Sequence, residues 1–422
     1  MADYPEIRAK VAADLQTRFD RVDVTYKTVN NVSLQTAIFV PKTISSLTEA
    51  TAAPVLVHFH GGGLITGAAL DLLFLVDWVR DLAHSTRTIF LSPHYRLAPE
   101  TPAVHILDDI ADFWAWVHSA HLPATLITHW PHLTADLTRL AAVGESAGGY
   151  LALQSALQMN QAARLRAVIA QYPGIFPDLA AFNPRPAEPD AGLDKVVEGY
   201  VSGLEAGVVR VSTAWPGFAE VTMAAMRNGL MRRLFGEDGK GRLTLGYALG
   251  KAEQVPPAMW VIQGTEDGLV AKGAADELVE RVRRERPGAV VKYTVREGDH
   301  GFDAGSSLGD EWVAEGVEFV KGYWLKLAHQ AIRARELFLL GGNRRRLQFG
   351  PSSALRNVRT VAEWEPTKDN NKTQVLWAFL KPLAGYGCKL APENDTGGGS
   401  GSGGRHQMDT WQHNGPLQDL QT

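Results

Sequence analysis

The sequence predicts an α/β chain with a mostly parallel sheet and helices on both faces. Three observations carry that prediction. Strand-like and helix-like runs alternate between residues 54 and 172 and again between 259 and 327. One G-x-S-x-G, Gly144-Glu145-Ser146-Ala147-Gly148, stands between an apolar run (140–143) and a run of helical spacing (147–159). A short apolar run, 54–60, opens directly into Gly61-Gly62-Gly63. Alternation of this kind places successive strands parallel, because each helix must carry the chain back before the next strand begins.

In chain order, residues 6–19 have the spacing of a short amphipathic helix, and 22–29 and 32–40 are β-rich runs around Asn30-Asn31. Two asparagines at a turn predict a hairpin at the sheet edge. The run 54–60 is a buried strand ending in a glycine loop. A helix at 70–84, a strand at 88–92, a helix at 106–118, the Ser146 turn and a strand at 165–172 follow. From 173 to about 256 the alternation stops: a Pro-rich loop (177–189) and a helix-like run (218–235) interrupt it. Some eighty residues are too many for an ordinary connection, so this insertion is expected to form a helical cap. The pattern resumes with a strand at 259–263, a helix at 272–286, a strand at 290–296 and a helix at 308–327. Beyond, residues 330–422 carry Arg344-Arg345-Arg346 and a Gly/Ser run at 397–404 with little periodicity. They read as a low-complexity, disordered tail in which only 375–383 is apolar enough to dock.

Composition narrows the function classes. A formal net charge of -4 with 21% charged residues gives no basic field for nucleic acid or acidic membranes. The single cysteine, Cys388, excludes an intramolecular disulfide and a cysteine-built metal site. The first ten residues carry Asp3, Glu6, Arg8 and Lys10, unlike a secretory signal, and the apolar stretch 70–79 is broken by Asp71 and Asp77. A cytoplasmic protein is therefore expected, and Asn31-Val32-Ser33 is read as a chance sequon.

The chemistry expected at the turn is acyl transfer by Ser146. A serine needs a base, an acid to orient the base and donors for the oxyanion. His300, in Gly298-Asp299-His300-Gly301-Phe302, follows the strand 290–296 and is the expected base. Asp267, in Gly264-Thr265-Glu266-Asp267-Gly268, follows the strand 259–263 and is the expected acid, with Glu266 and Asp299 as rivals. The order Ser, Asp, His is that of α/β-hydrolases. The expected oxyanion donors are the N–H groups of Gly61, Gly62 and Ala147.

His60-Gly61-Gly62-Gly63, His94-Tyr95-Arg96-Leu97-Ala98-Pro99-Glu100 and Gly144-Glu145-Ser146-Ala147-Gly148-Gly149, with Asp109 ahead of Trp116, resemble the successive signatures of the hormone-sensitive-lipase-like carboxylesterases. The resemblance spans roughly residues 20–326. It implies the α/β-hydrolase fold with an eight-stranded sheet and a helical cap, no cofactor, no metal, and hydrolysis of carboxylic esters of small to medium size. The expected division is a catalytic domain at 1–329, its cap drawn from about 1–20 and 174–256, and the tail at 330–422. The expected partner is a small-molecule ester, with a homodimer admitted and neither nucleic acid nor a membrane span.

Two positions depart from the pattern: Glu145 and His94 stand where the family usually has Asp. Glu145 keeps the charge; His94 removes one and is expected to loosen the support behind the glycine loop. Phe176, Phe182, Trp215, Phe218, Met223, Met226 and Met231 are candidates for an apolar pocket wall. The same site would also suit a lactone, a thioester or acyl transfer in tailoring a secondary metabolite. A non-catalytic ligand receptor, as in the plant gibberellin receptors that resemble this family, is the reading that His300 opposes.

Overall fold

The computed structural model describes residues 4–69, 75–174, 186–213, 218–326, 344–347 and 362–364. The chain divides into two compact units, Met1–Ala334 and Arg335–Thr422. In the second, the described residues form an antiparallel pair, Arg344–Leu347 with Ala362–Trp364. The remainder of the expected disordered tail lies outside the described residues.

The first unit is built on eight strands: β1 Phe19–Val29, β2 Val32–Pro41, β3 Thr51–Phe59, β4 Ile89–Pro93, β5 Leu133–Glu145, β6 Ala167–Gln171, β7 Ala258–Gly264 and β8 Val290–Arg296. Their order in the sheet is β1-β2-β4-β3-β5-β6-β7-β8. Only the β1–β2 and β2–β4 pairs are antiparallel, so β2 alone runs against the rest. The β1–β2 hairpin turns on Asn30 and Asn31, both left-handed (φ 48° and 64°), a conformation asparagine tolerates better than most residues.

The central strands are buried on both faces, and their side chains alternate between two cores. Val55, Val57 and Phe59 enter one core, together with Ile106, Phe113 and Leu151. Leu56 enters the other, with Trp78, Trp260 and Trp324. The N-terminal helix, Tyr4–Arg18, belongs to this second core through Val11 and Leu15, which lie one turn apart and are buried with Phe19. Residues 1–20 are expected in the cap; the buried stripe of this helix packs in the core on a face of the sheet.

The insertion between β6 and β7 does carry its own helices, Ala191–Ser202, Ala219–Arg227, Met231–Phe235 and Leu245–Lys251. The single helix expected over 218–235 is two, parted where Gly229 adopts φ 67°. Val197, Ala225, Leu234 and Phe235 join the first core, so these helices are packed against it and are not a loose flap. Asp190 caps the first of these helices by accepting from Gly192 N at 2.7 Å. The Pro-rich loop falls largely outside the described residues, as does the start (70–74) of the helix expected at 70–84, whose observed span is Asp77–Ser85.

Parallel pairing fixes where the functional loops lie. β3, β5, β7 and β8 all point the same way, so the glycine loop, the Ser146 turn and the Asp267 and His300 loops leave one edge, the carboxyl edge of the sheet.

Candidate active site

Ser146 ends β5 and precedes the helix Ala147–Leu157. Its backbone, φ 53° and ψ -118°, lies outside the regions a non-glycine residue normally occupies. The turn survives because its neighbours make room and hold it. A Cβ on Gly148 would sit 1.9 Å from Phe59 O, and one on Gly144 would sit 2.4 Å from Gly148 C, so only glycine fits at either place. Ser146 N–H donates to Gln171 O at 2.9 Å, and Ser146 O accepts from Gly174 N at 2.9 Å, which ties the turn to the end of β6.

The Asp267 and His300 loops meet because β7 and β8 are neighbours, with Gly264 opposite Arg296. Thr265 N donates to Arg296 O at 2.8 Å and Glu266 N to Gly298 O at 3.1 Å. Asp267 Oδ2 lies 2.9 Å from His300 Nδ1 and accepts from Gln263 Nε2 at 2.9 Å. Its Oδ1 accepts from Leu269 N and Val270 N at 2.9 and 2.8 Å. Burial pushes this carboxyl's pKa up, but the His300 contact and the two N–H groups outweigh it and hold the pKa below the ordinary value. A carboxylate can only accept, so the proton faces it from Nδ1 of His300, leaving Nε2 unprotonated in the neutral ring. The Tyr172 ring meets the imidazole edge-on, centroids 4.7 Å apart.

Of the rival acids, Glu266 is exposed. Asp299 turns to backbone: its Oδ1 accepts from Gly268 N at 2.9 Å and from His300 N at 2.7 Å. It pins the two loops together while Asp267 takes the ring.

The glycine loop needs left-handed backbone at Gly62 (φ 103°) and Gly63 (φ 65°). A Cβ on Gly62 would stand 2.2 Å from Thr66 O. Gly61 departs from expectation, because its N–H already donates to Glu145 Oε1 at 2.6 Å and is spent on that carboxylate. Among the described residues the N–H groups of Gly62 and Gly63 donate to no protein acceptor, and Ala147 opens a helix whose first N–H groups have no partner within it.

Behind this loop His60 is buried and stacked on Tyr95, centroids 4.2 Å apart, and desolvation lowers its pKa to about 3. It is a neutral packing group. His94 does not leave the loop unsupported: its Nδ1 lies 3.0 Å from Val211 O, in the cap insertion. From the same segment Arg210 donates to Ile65 O at 2.8 Å, Ala98 O at 2.7 Å and Glu100 Oε2 at 2.5 Å, and lies 3.9 Å over the Phe218 ring. Phe218 thus packs beneath a cation and against Tyr200, and Met231 is buried in the core. Met223 and Met226 are half-buried; Phe176, Phe182 and Trp215 lie outside the described residues. Asp109, expected from its place before Trp116, is buried under Arg96 and Lys27 as a structural ion cluster.

Sequence reasoning did not single out His58, Gln171, Tyr172, Gln263 or Asp303. Asp303 accepts from Trp78 Nε1 at 3.0 Å and Gln171 Nε2 at 2.7 Å, three residues past His300. The available signal was placement alone: Gln171 ends, and Gln263 stands one residue before the end of, otherwise apolar strands. No group of three or more His, Cys, Asp or Glu side chains able to hold a metal occurs among the described residues.

This sheet order, the strained serine turn and the paired aspartate and histidine at two later strand ends together define an α/β-hydrolase. The chain belongs to that family: the profile described as alpha/beta hydrolase fold matches residues 56–302, a span running from the glycine loop through the His300 loop. A probable carboxylesterase of Phoma sp. is 27% identical over 314 residues, covering 72% of this chain and 97% of its own. A probable carboxylesterase of Cochliobolus lunatus is 28% identical over 202 residues, covering 46% of this chain and 90% of its own. A solved alpha/beta hydrolase superfamily protein from Enterococcus faecalis is 17% identical, covers 73% of this chain and 99% of its own, and has a TM-score of 0.49.

Proposed function

We propose that the protein is a carboxylesterase that works through an acyl-enzyme on Ser146, with His300 as the base, Asp267 orienting it, and Gly62, Gly63 and Ala147 donating to the oxyanion. The observation that carries this reading is the 2.9 Å contact of His300 Nδ1 with a fully hydrogen-bonded Asp267, on the sheet edge that also bears the Ser146 turn. The relatives' names and the motif order support the same class of bond. Gly63 replaces Gly61 as a donor because the Gly61 N–H is occupied.

In the first half-reaction Ser146 Oγ bonds to the ester carbonyl carbon as its proton passes to His300 Nε2. The carbonyl oxygen becomes an oxyanion held by the loop and helix N–H groups. When the bond to the alcohol breaks, His300 returns the proton to that leaving oxygen. Water then attacks the acyl carbon, gives a proton to His300, and the acid departs as Ser146 regains its hydrogen. Each step uses the imidazole in the tautomer that Asp267 enforces.

In this reading residues 1–329 form the catalytic domain, with the insertion at 174–256 as its cap, and 330–422 take no part in the chemistry. No helix among the described residues is long and apolar enough to cross a membrane. The substrate is a small ester with enough apolar surface to meet the cap, in a cytoplasmic setting.

A fluorophosphonate probe tests the nucleophile, since attack on phosphorus displaces fluoride and leaves a stable adduct. Mass spectrometry should place one adduct on Ser146, absent in Ser146→Ala. A protein that hydrolyses esters yet carries the adduct elsewhere would overturn the assignment.

A further inference from the structure

Glu145 lies between the proposed nucleophile and the glycine loop, and its carboxylate is buried. Oε1 accepts the Gly61 N–H at 2.6 Å, and Oε2 lies 2.8 Å from His58 Nε2. On the far side of that ring, His58 Nδ1 lies 3.3 Å from Ser92 Oγ, which donates to Ala69 O at 2.9 Å.

These contacts settle the net charge. The Ser92 hydroxyl has one hydrogen and spends it on Ala69 O, so toward His58 it can only accept, which fixes a proton on Nδ1. A second proton lies in the contact between Nε2 and Oε2. Carried by nitrogen, it gives imidazolium and carboxylate; carried by oxygen, it gives imidazole and carboxylic acid. Both forms are neutral overall.

Among the described residues, the titratable groups packed near the pair supply no other compensation. Burial holds His60 uncharged with a pKa of about 3 and pushes the Tyr95 and Tyr172 hydroxyls far above the usual tyrosine value, so they too stay neutral. Unbalanced, a carboxylate here would repel the negative charge that develops at the neighbouring N–H groups in the transition state, across a medium that screens weakly.

We propose that Glu145 and His58 form a charge-neutral positioning pair: Glu145 takes up the Gly61 N–H and so sets the loop with Gly62 and Gly63 free for the oxyanion, and His58 cancels the carboxylate's charge. This rests on the Ser146 reading above. Neither residue touches the substrate. The pair joins β3 to the end of β5, two strands that already run side by side with His58 opposite Val143, so the loop's position follows that of the serine turn.

The test measures kcat and KM on p-nitrophenyl acetate for wild type, Glu145→Gln, His58→Gln and the double variant, each checked for folding by thermal melt. His58→Gln strands the carboxylate and should lower kcat by about 10- to 100-fold, part of the loss seen when an oxyanion donor is removed, with little change in KM. The double variant restores a neutral amide pair and should recover most of that loss. A kcat unchanged in His58→Gln, or a double variant worse than either single, would overturn the proposal. Hydrogen exchange at the Gly61 amide reads the same device without turnover. Glu145→Met, which removes both acceptors, should speed that exchange, and unchanged protection would overturn the positioning role even if Ser146 proved not to be the nucleophile. Turnover surviving in Ser146→Ala would instead mark failure of the catalytic reading alone.

Discussion

Gln171 joins the serine turn to the histidine loop: its carbonyl accepts the Ser146 N–H at 2.9 Å while its side-chain amide donates to Asp303 at 2.7 Å. Asp303 also accepts from Trp78 Nε1 at 3.0 Å, so one buried carboxyl anchors the segment that follows His300 to the end of β6 and to the helix Asp77–Ser85.

Burial raises the Asp303 pKa, against the pull of Trp78, Gln171 and Tyr172. The folded protein therefore binds this proton more tightly than the unfolded chain does. The stability tied to it is full below the unfolded carboxyl pKa and is lost as pH rises through the folded one. Asp303→Asn keeps an acceptor for both donors and never ionises. The melting temperature of this variant relative to wild type should rise between acid and neutral pH; a difference independent of pH would contradict the account.

Asp267 and Asp299 separate the roles of two neighbouring carboxylates. Asp267→Asn presents an amide N–H or a weaker acceptor to His300 and should lower kcat by up to ~10⁴-fold, the scale seen when the wrong tautomer is imposed. Asp299→Asn retains an oxygen for the Gly268 and His300 N–H groups and should leave kcat nearly intact. Equal losses would contradict the assignment.

The pH profile follows from the same pair. Ester turnover should fall in acid, because the Ser146 proton needs an unprotonated ring nitrogen to receive it. Asp267 stays ionised there, its pKa lowered despite burial by the His300 contact and by the N–H groups of Val270 and Leu269. A wild-type profile with no loss of turnover in acid would count against it.

Arg210 holds the segment 208–213 of the cap insertion to the loops at Ile65 and Ala98. Arg210→Met removes the cation from the largely buried Glu100 carboxylate, leaving it only the Tyr200 hydroxyl as a side-chain donor among the described residues, and should cost about 3 kcal/mol of stability. Because the Ser146, His300 and Asp267 contacts are untouched, KM on apolar esters should rise more than kcat falls. A lowered kcat at constant KM would place Arg210 in the chemistry instead.

The parts legible in the sequence were those written locally. The glycine-ended strand, the Gly144 and Gly148 spacing and the strand-end placement of Asp267 and His300 are short-range signals, and the structure places each at the carboxyl edge. Long-range pairing was not legible. His58 and Glu145 stand 87 positions apart, and nothing near either announces the other. Gly61 looked like a free donor because its acceptor lies 84 residues away. The cap expected at 1–20 rests on the family resemblance alone, and the spacing of Val11 and Leu15 shows that the helix packs but not on which surface. In β5, the half-buried stretch from Thr134 to Arg139 interleaves Ala135 and Leu137 with polar and charged residues, and hid the first half of the strand.

The central claim is covalent catalysis by Ser146, and stopped-flow hydrolysis of p-nitrophenyl acetate tests it most directly. The account predicts a burst of one p-nitrophenolate per protein molecule before steady turnover wherever deacylation is the slower step, trapped acyl-enzyme on the Ser146 peptide, and neither in a folded Ser146→Ala. Turnover that survives in that variant, or an acyl group trapped on another residue, would contradict it.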